Sequence, residues 1–230
     1  KRRTYAAMVS IMDRNIGRVL AALKTAECEK NTLVVFLSDN GGPDDGYSNN
    51  TPLHGWKGDT FEGGIRVPFV MQWPGTIKSG QTVDVPVSSL DLLPTALAMA
   101  GQPVPPSLDG KNLLPALRGE SAFPARALAW RFVYGENASK APWAIREGHW
   151  KLVMGSVASQ TIQLFDLSTD PGEAHDLSAA HDDVRERLQK SHDAWVRSMP
   201  APYTRVSRER VLEFVKAKQA ARAKASAPAK

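Results

Sequence analysis

The sequence is poor in cysteine and has no long apolar run. Cys28 is the only cysteine among 230 residues, which excludes an internal disulfide and any fold stapled by disulfides. No stretch reaches the roughly 18 apolar residues that a membrane-spanning helix needs. The first residues are Lys-Arg-Arg-Thr followed by an amphipathic pattern, which is unlike a signal peptide. The composition therefore predicts a globular chain without a membrane span.

The body of the chain also lacks an excess of basic charge. The total net charge is +5, but residues 205–230 carry eight Lys and Arg side chains against two Glu, a local net charge of +6 that leaves −1 for residues 1–204. A body without basic excess does not predict specific nucleic-acid binding. The Ala-rich basic end is typical of a flexible, solvated tail, with a polyanion-binding arm as the alternative.

Apolar spacing predicts the elements of the first half. Steps of three and four favour a helix, and an uninterrupted apolar run favours a parallel strand covered on both faces. Ser88 followed by Asp91 resembles a helix-capping arrangement, and Gly101 suits a helix stop. The predicted elements are a helix over 4–24, strands over 33–37 and 67–73, and a helix over 90–100.

The pattern changes after a proline-rich connection at 102–109. Short apolar runs separated by turn residues predict an antiparallel sheet, with Glu147-Gly148 as a tight hairpin turn. The predicted strands are 128–133, 143–146, 150–154 and 163–167, followed by a helix over 182–195. We therefore expect an α/β portion over 1–110, an α+β subdomain over 111–204 and a flexible tail over 205–230.

Asp39 and Asn40 follow the first predicted strand directly, before Gly41-Gly42. The carboxyl ends of strands in open α/β sheets are where ligands bind. A carboxylate and an amide oxygen suit a hard divalent cation such as Ca²⁺. The same four residues also make good turn chemistry, so both interpretations stay open.

Lys57 lies in the segment His54-Gly55-Trp56-Lys57-Gly58. Glycines allow a ligand to approach the backbone closely, and a lysine there could stabilise developing negative charge. A solvated surface lysine is the alternative. Glu62 and Arg66 are better explained as a structural pair, with Arg66 holding the Glu62 carboxylate beneath the loop.

Several segments together resemble the C-terminal part of a type I sulfatase, of the arylsulfatase family within the alkaline phosphatase superfamily. They are YAAMVSIMDRNIGRVLAAL, NTLVVFLSDNGG, PLHGWKGDTFEGGIRVPFVMQWPG, VSSLDLLPTALAMAG, LDGKNLLPAL, and AIREGHWKLV with LFDLSTDPGEAHDL. The resemblance implies a sulfatase-like α/β sandwich with a smaller α+β subdomain. It also implies that Asp39 and Asn40 are metal ligands, usually for Ca²⁺ with Mg²⁺ possible, and that Lys57 contacts the sulfate group. His54 stands where many relatives carry arginine and is at most a substrate-facing residue.

The sequence departs from the family at the nucleophile. These enzymes use a formylglycine made in a Cys/Ser-x-Pro-x-Arg motif, but Cys28 lacks both the proline and the arginine that follow. In Ser198-Met199-Pro200-Ala201-Pro202, Pro202 replaces the arginine. The family's early pair of aspartate ligands has no counterpart either. We therefore expect a missing N-terminal half as structural partner, and no turnover by these 230 residues alone.

The expected function is hydrolysis of aryl or carbohydrate sulfate esters through a formylglycine nucleophile and a divalent metal. Two alternatives remain: a phosphoesterase of the same superfamily, and a non-catalytic module that binds sulfated glycans. The resemblance favours a periplasmic, secreted or lysosome-like location.

Overall fold

The computed structural model describes residues 2–44, 47–123, 125–133, 141–155 and 161–200. The tail predicted over 205–230 lies outside these ranges. Among the described helices, none combines the length and apolarity needed to cross a membrane.

Helix α1 spans Arg2–Thr25, which confirms the helix predicted over 4–24. Its apolar residues form one face, but none of its side chains is buried. Met8 is 64% exposed and Val19 59% exposed. Helix α1 is therefore amphipathic, as its spacing predicts, with an open apolar face.

Strands β1 (Val34–Leu37) and β2 (Phe69–Gln72) form a two-stranded antiparallel sheet, with Val34 opposite Gln72 and Leu37 opposite Phe69. The prediction of a parallel strand is wrong for this pairing. An apolar run without polar alternation indicates neighbours on both faces, but it does not determine strand direction. Phe36 on β1 is also 38% exposed, so β1 is not covered on both faces by the described residues.

Asp91 organises the segment between the two sheets. A 3₁₀ turn at Ser89–Asp91 leads into helix α3 (Leu92–Met99), and Ser88 and Asp91 form the predicted capping box. The buried Asp91 carboxylate also accepts hydrogen bonds from the Lys111 backbone N–H, at 2.8 Å, and from the Arg126 guanidinium. Burial alone would raise the pKa of Asp91, but the hydrogen bonds from Arg126, Lys111 and Ser88 outweigh it and hold the pKa below its usual value.

The second half contains a four-stranded antiparallel sheet in the order β3-β4-β5-β6. The strands are β3 (Ala127–Arg131), β4 (Trp143–Glu147), β5 (Trp150–Met154) and β6 (Gln163–Asp166). Two short helices, α2 (Glu62–Ile65) and α4 (Leu114–Leu117), precede the sheet, and α5 (Asp182–Ser198) follows it. Each predicted strand is confirmed to within two residues, and the last predicted helix is confirmed but extends three residues further, to Ser198.

The two faces of this sheet pack against different parts of the chain. Trp143 and Ile145 on β4 face a core with Leu188 of α5. Ala144, between them, faces the opposite core, which contains Phe61 from the loop before α2. Alternate residues of a strand point to opposite faces, so the sheet joins α5 to the loop region of the first half. Burying a Phe side chain such as Phe61 stabilises this junction by about 1.5–3 kcal/mol.

The expected fold class is confirmed: an α/β portion is followed by a smaller α+β region built on a short antiparallel sheet. The domain boundary at residue 110 stays a prediction. Hydrogen bonds cross it, since the Thr60 backbone N–H donates to the Gly155 carbonyl at 3.0 Å and Arg126 binds Asp91.

Candidate active site

Asp39 and Asn40 lie in the loop that leaves the end of β1. The Asp39 side chain is exposed and Asn40 is half-buried. The Ser38 hydroxyl donates to the Asn40 carbonyl at 2.8 Å, and the Asn40 side-chain nitrogen donates to the Gly41 carbonyl at 2.9 Å. This contact uses one N–H of the Asn40 side-chain amide and does not involve its side-chain oxygen, which can accept another partner.

The chemistry of this pair suits a hard cation, since both residues offer oxygen donors. Ca²⁺ takes about six to eight oxygen ligands, so two residues supply a minority of them. Within the described residues, no group of three or more His, Cys, Asp and Glu side chains could hold a metal ion. The pair therefore fits as part of a cation site and not as a whole one.

Glycines bring three backbone segments into direct contact beside this pair. The Gly41 N–H donates to the Gly64 carbonyl at 2.9 Å, and the Gly63 N–H donates to the His54 carbonyl at 2.6 Å. A Cβ at Gly41 would lie 1.7 Å from the Gly63 oxygen, and one at Gly63 would lie 2.3 Å from the Gly55 oxygen. Side chains cannot be accommodated at these distances, so the approach depends on glycine.

Asn50 fixes the loop of Lys57 to the segment after Asn40. Its side-chain nitrogen lies 3.0 Å from the carbonyls of both Gly42 and Gly55, and its side-chain oxygen accepts from the Gly42 N–H at 3.0 Å. The Lys57 N–H donates to the same Gly42 carbonyl at 3.0 Å. Sequence analysis missed Asn50, because an asparagine in a polar loop is indistinguishable from an ordinary turn residue.

The Lys57 side chain is exposed and forms no ion pair with the described carboxylates. Its backbone is fixed through Gly42, whereas its ammonium group is open to solvent. The structure thus brings the segments of Lys57 and of Asp39-Asn40 into backbone contact. An unpaired ammonium in that setting can bind an anionic oxygen.

His54 is placed by an aromatic contact. Its ring stacks on Phe61 with centroids 4.0 Å apart and an interplanar angle of 20°. Asp59 lies nearby and accepts a hydrogen bond from the Trp56 N–H at 3.1 Å. Burial raises the pKa of Asp59, while this hydrogen bond and the neighbouring His54 act to lower it. The exposed His54 imidazole is therefore held at the edge of the Lys57 loop.

A buried ionic cluster lies beneath the loops. Lys151 of β5 is fully buried, with its Nζ 2.9 Å from Glu62 Oε1 and 2.8 Å from Glu173 Oε1. Arg66 lies 3.7 Å from Glu62 Oε2, which confirms the predicted structural pair, and Arg146 lies 3.6 Å from the same oxygen. Burial raises the pKa of Glu173, although the Lys151 ammonium acts to lower it.

Sequence analysis missed Lys151 and Glu173. The available signal was a lysine inside the apolar strand Trp150–Met154, where a charge must find a buried partner. That signal identifies the need for a carboxylate but not which one. Glu173 is 22 positions further along the chain.

Two family models match this chain. The model described as Sulfatase matches residues 1–102, and the model described as N-sulphoglucosamine sulphohydrolase, C-terminal, matches residues 54–196. A sulfatase of Formosa agariphila is 32% identical over 224 residues, covering 86% of this chain and 40% of the relative. Bovine arylsulfatase A is 36% identical over 204 residues, covering 77% of this chain and 40% of the relative.

The fold also matches solved structures. Ps i-CgsB in complex with k-i-k-neocarrahexaose superimposes with a TM-score of 0.81 and 34% identity, covering 93% of this chain and 47% of that one. The chain spans about 40% of the length of the curated relatives it matches. The second family model covers well over half of this chain. On this evidence the chain belongs to the sulfatase family and corresponds to its C-terminal portion.

Proposed function

We propose that the full-length protein is a sulfatase that hydrolyses sulfate esters, and that this chain supplies the half of its active site that binds metal and sulfate. One observation carries the proposal: the segments of Asp39-Asn40 and of Lys57 are joined through Gly42. Residues that bind the same small anion must lie close together. Membership of the sulfatase family supports this assignment of the site.

Asp39 and Asn40 are the proposed metal ligands. The carboxylate contributes charge and the amide oxygen contributes a neutral donor, a combination that suits Ca²⁺ better than the stricter octahedron of Mg²⁺. When bound, the metal would offset the negative charge of the sulfate oxygens. The remaining ligands come from residues outside this sequence.

Lys57 is the proposed catalytic contact to the sulfate group. Its ammonium binds a sulfate oxygen, orients the ester and stabilises the charge that develops as the ester bond breaks. The backbone hydrogen bond from Lys57 to Gly42 limits how far this group can move from the metal ligands. His54, held by Phe61, is the proposed contact to the part of the substrate beyond the sulfate.

The nucleophile belongs to the remainder of the protein in this proposal. A hydrated formylglycine there would supply the hydroxyl that attacks sulfur, and the N-terminal region would be the structural partner of this chain. The substrate is an aryl or carbohydrate sulfate, and the protein is exported to a periplasmic, extracellular or lysosome-like compartment. The oligosaccharide in the Ps i-CgsB complex favours the carbohydrate class.

Matched ester substrates test this function. The full-length protein is assayed on 4-nitrophenyl sulfate and 4-nitrophenyl phosphate with Ca²⁺ or Mg²⁺ present, and then on sulfated oligosaccharides. The proposal predicts a kcat/KM for the sulfate at least about 100-fold above that for the phosphate. A preference for the phosphate would assign the protein to the phosphoesterases. Hydrolysis of neither class would leave the glycan-binding alternative in its place.

A further inference from the structure

The buried ionic cluster consists of Glu62, Lys151 and Glu173. In the sequence, Glu62 directly precedes Gly63, whose backbone makes one of the glycine contacts of the candidate site. Side chains of Lys151 and Glu173 are 0% exposed, and that of Glu62 is 2% exposed. Burying charges costs several kcal/mol per ion, and apolar residues of similar volume often stabilise a core at least as well. Core stability alone therefore does not explain this cluster, and its contacts indicate what it holds in place.

The cluster fixes both the side chain and the backbone of Glu62. Lys151 Nζ donates a hydrogen bond to Glu62 Oε1 at 2.9 Å. Lys151 Nζ also forms an ion pair with Glu173 Oε1 at 2.8 Å. The second carboxylate oxygen of Glu173 accepts a hydrogen bond from the Glu62 backbone N–H at 2.6 Å. Glu62 is thus held at two points by the same pair of residues.

Glu62 is followed directly by the two glycines that organise the site. Gly63 donates its N–H to His54, in the loop of Lys57, and Gly64 accepts from Gly41, which follows Asn40. A displacement of Glu62 would move both contacts together. The two loops are connected to the cluster through two glycine backbones.

The backbone of Glu173 supports the same conclusion. It has a φ of 55°, in the left-handed region that residues other than glycine rarely adopt. Such a conformation costs of the order of 1–3 kcal/mol and persists only where surrounding contacts determine it. Glu173 is held by its carboxylate contacts with Lys151 and the Glu62 N–H and by the hydrogen bond from its own N–H to the Asp170 carbonyl at 3.2 Å.

We propose that Lys151 and Glu173 are positioning residues that fix Glu62 and, through Gly63 and Gly64, set the placement of the Lys57 loop relative to the Asp39-Asn40 segment. Neither residue touches the substrate. The antiparallel sheet thereby serves the site by supplying a buried lysine from β5 and a glutamate after β6. The importance of this placement for catalysis rests on the proposed function, whereas the placement itself does not.

Amide hydrogen exchange of the full-length protein, measured by NMR, tests the proposal. The variants are Lys151→Met and Glu173→Gln, compared with Arg187→Met, which removes an ion pair to Glu147 on the same sheet without contacting Glu62. We expect exchange at the Gly41 and Gly63 amides to rise about tenfold or more in the first two variants, while the Leu152 and Leu188 amides change little. The Arg187→Met variant should leave both glycine amides unchanged.

Three outcomes would overturn the proposal: unchanged exchange at Gly41 and Gly63, an equal rise across the whole sheet, or loss of the folded state in both Lys151→Met and Glu173→Gln. The last two would assign the cluster to stability of the sheet. If only Lys151→Met fails to fold, exchange at the Gly41 and Gly63 amides of Glu173→Gln decides whether the cluster has a positioning role.

Titration with inorganic sulfate distinguishes a failure of this positioning role from a failure of the proposed sulfatase function. Weaker sulfate binding by Lys151→Met, with the Lys57 amide shifted, extends the positioning role to the anion site. Sulfate binding that is insensitive to Lys57→Ala counts against the proposed function, while the exchange pattern still decides the positioning role.

Discussion

At the scale of single residues, the site depends on the lack of a side chain at Gly41, Gly63 and Gly64 as much as on the ammonium group of Lys57. Three backbone segments meet where a Cβ would lie 1.7–2.3 Å from a carbonyl oxygen. Polar side chains such as Asn50 then fix the contact with hydrogen bonds. The side chains of Asp39 and Lys57 remain exposed, because backbone contacts through Gly41 and Gly42 set the position of their segments.

Replacing Gly41 by alanine tests this dependence. We expect Gly41→Ala to lower the free energy of unfolding by about 1–3 kcal/mol, because the Gly63 carbonyl must move and the bond to Gly64 is strained. Gly17→Ala is the matched control. A Cβ at Gly17, in α1, meets nothing within 4 Å, so it should be neutral or stabilise by up to about 1 kcal/mol. Urea unfolding measures both, and a neutral Gly41→Ala would contradict the described packing.

At the scale of elements, Asp91 connects the turn before α3 to the chain that enters β3. Its carboxylate is buried, caps the Ser89–Asp91 turn and pairs with Arg126. Removing one member of such an ion pair leaves the charge of the other member buried without a partner. Both the capping box and the end of α3 near Gly101 were predictable, because their residues are close in sequence. Arg126 was not, because it is 35 positions away.

The pKa of Asp91 gives this connection a pH signature. A carboxyl whose pKa is lower in the folded state than its unfolded value of 3.8 stabilises the fold fully above pH 3.8, and the contribution is lost as the pH falls through the folded value. We expect Asp91→Asn to cost about 3 kcal/mol near neutral pH. The difference from wild type should shrink below pH 3.8. Chemical unfolding at several pH values measures it, and a difference that is independent of pH would contradict the ion pair.

At the scale of the whole molecule, local patterns in the sequence predicted the elements well. The 3.6-residue spacing of α1, the short strands β3–β6 and the amphipathic α5 all appear where expected. The prediction that β1 is a parallel strand was wrong, because an apolar run indicates burial and does not determine the direction of the neighbouring strand. The pair Glu62–Arg66 was predictable at a separation of four, whereas Lys151–Glu62, 89 residues apart, needed the tertiary fold.

In the candidate site, too, some features could be predicted from the sequence and others could not. Asp39, Asn40 and Lys57 could be selected from the sequence through their glycine-rich setting and the family resemblance. Their connection through Gly42, Asn50 and Gly63 could not, because it depends on backbone approaches between distant loops. Family membership then supports the proposal of a sulfatase for the protein as a whole.

The most direct test is the rate of aryl sulfate hydrolysis by the full-length protein carrying Lys57→Ala. Lys78→Ala, which removes an exposed lysine in the segment after β2, is the matched control. The proposed contact to sulfate predicts that Lys57→Ala lowers kcat/KM about 100-fold or more, while Lys78→Ala leaves it near the wild-type value. Wild-type kcat/KM in Lys57→Ala, with the protein folded, would contradict the assignment of this chain as the metal- and sulfate-binding half of the site.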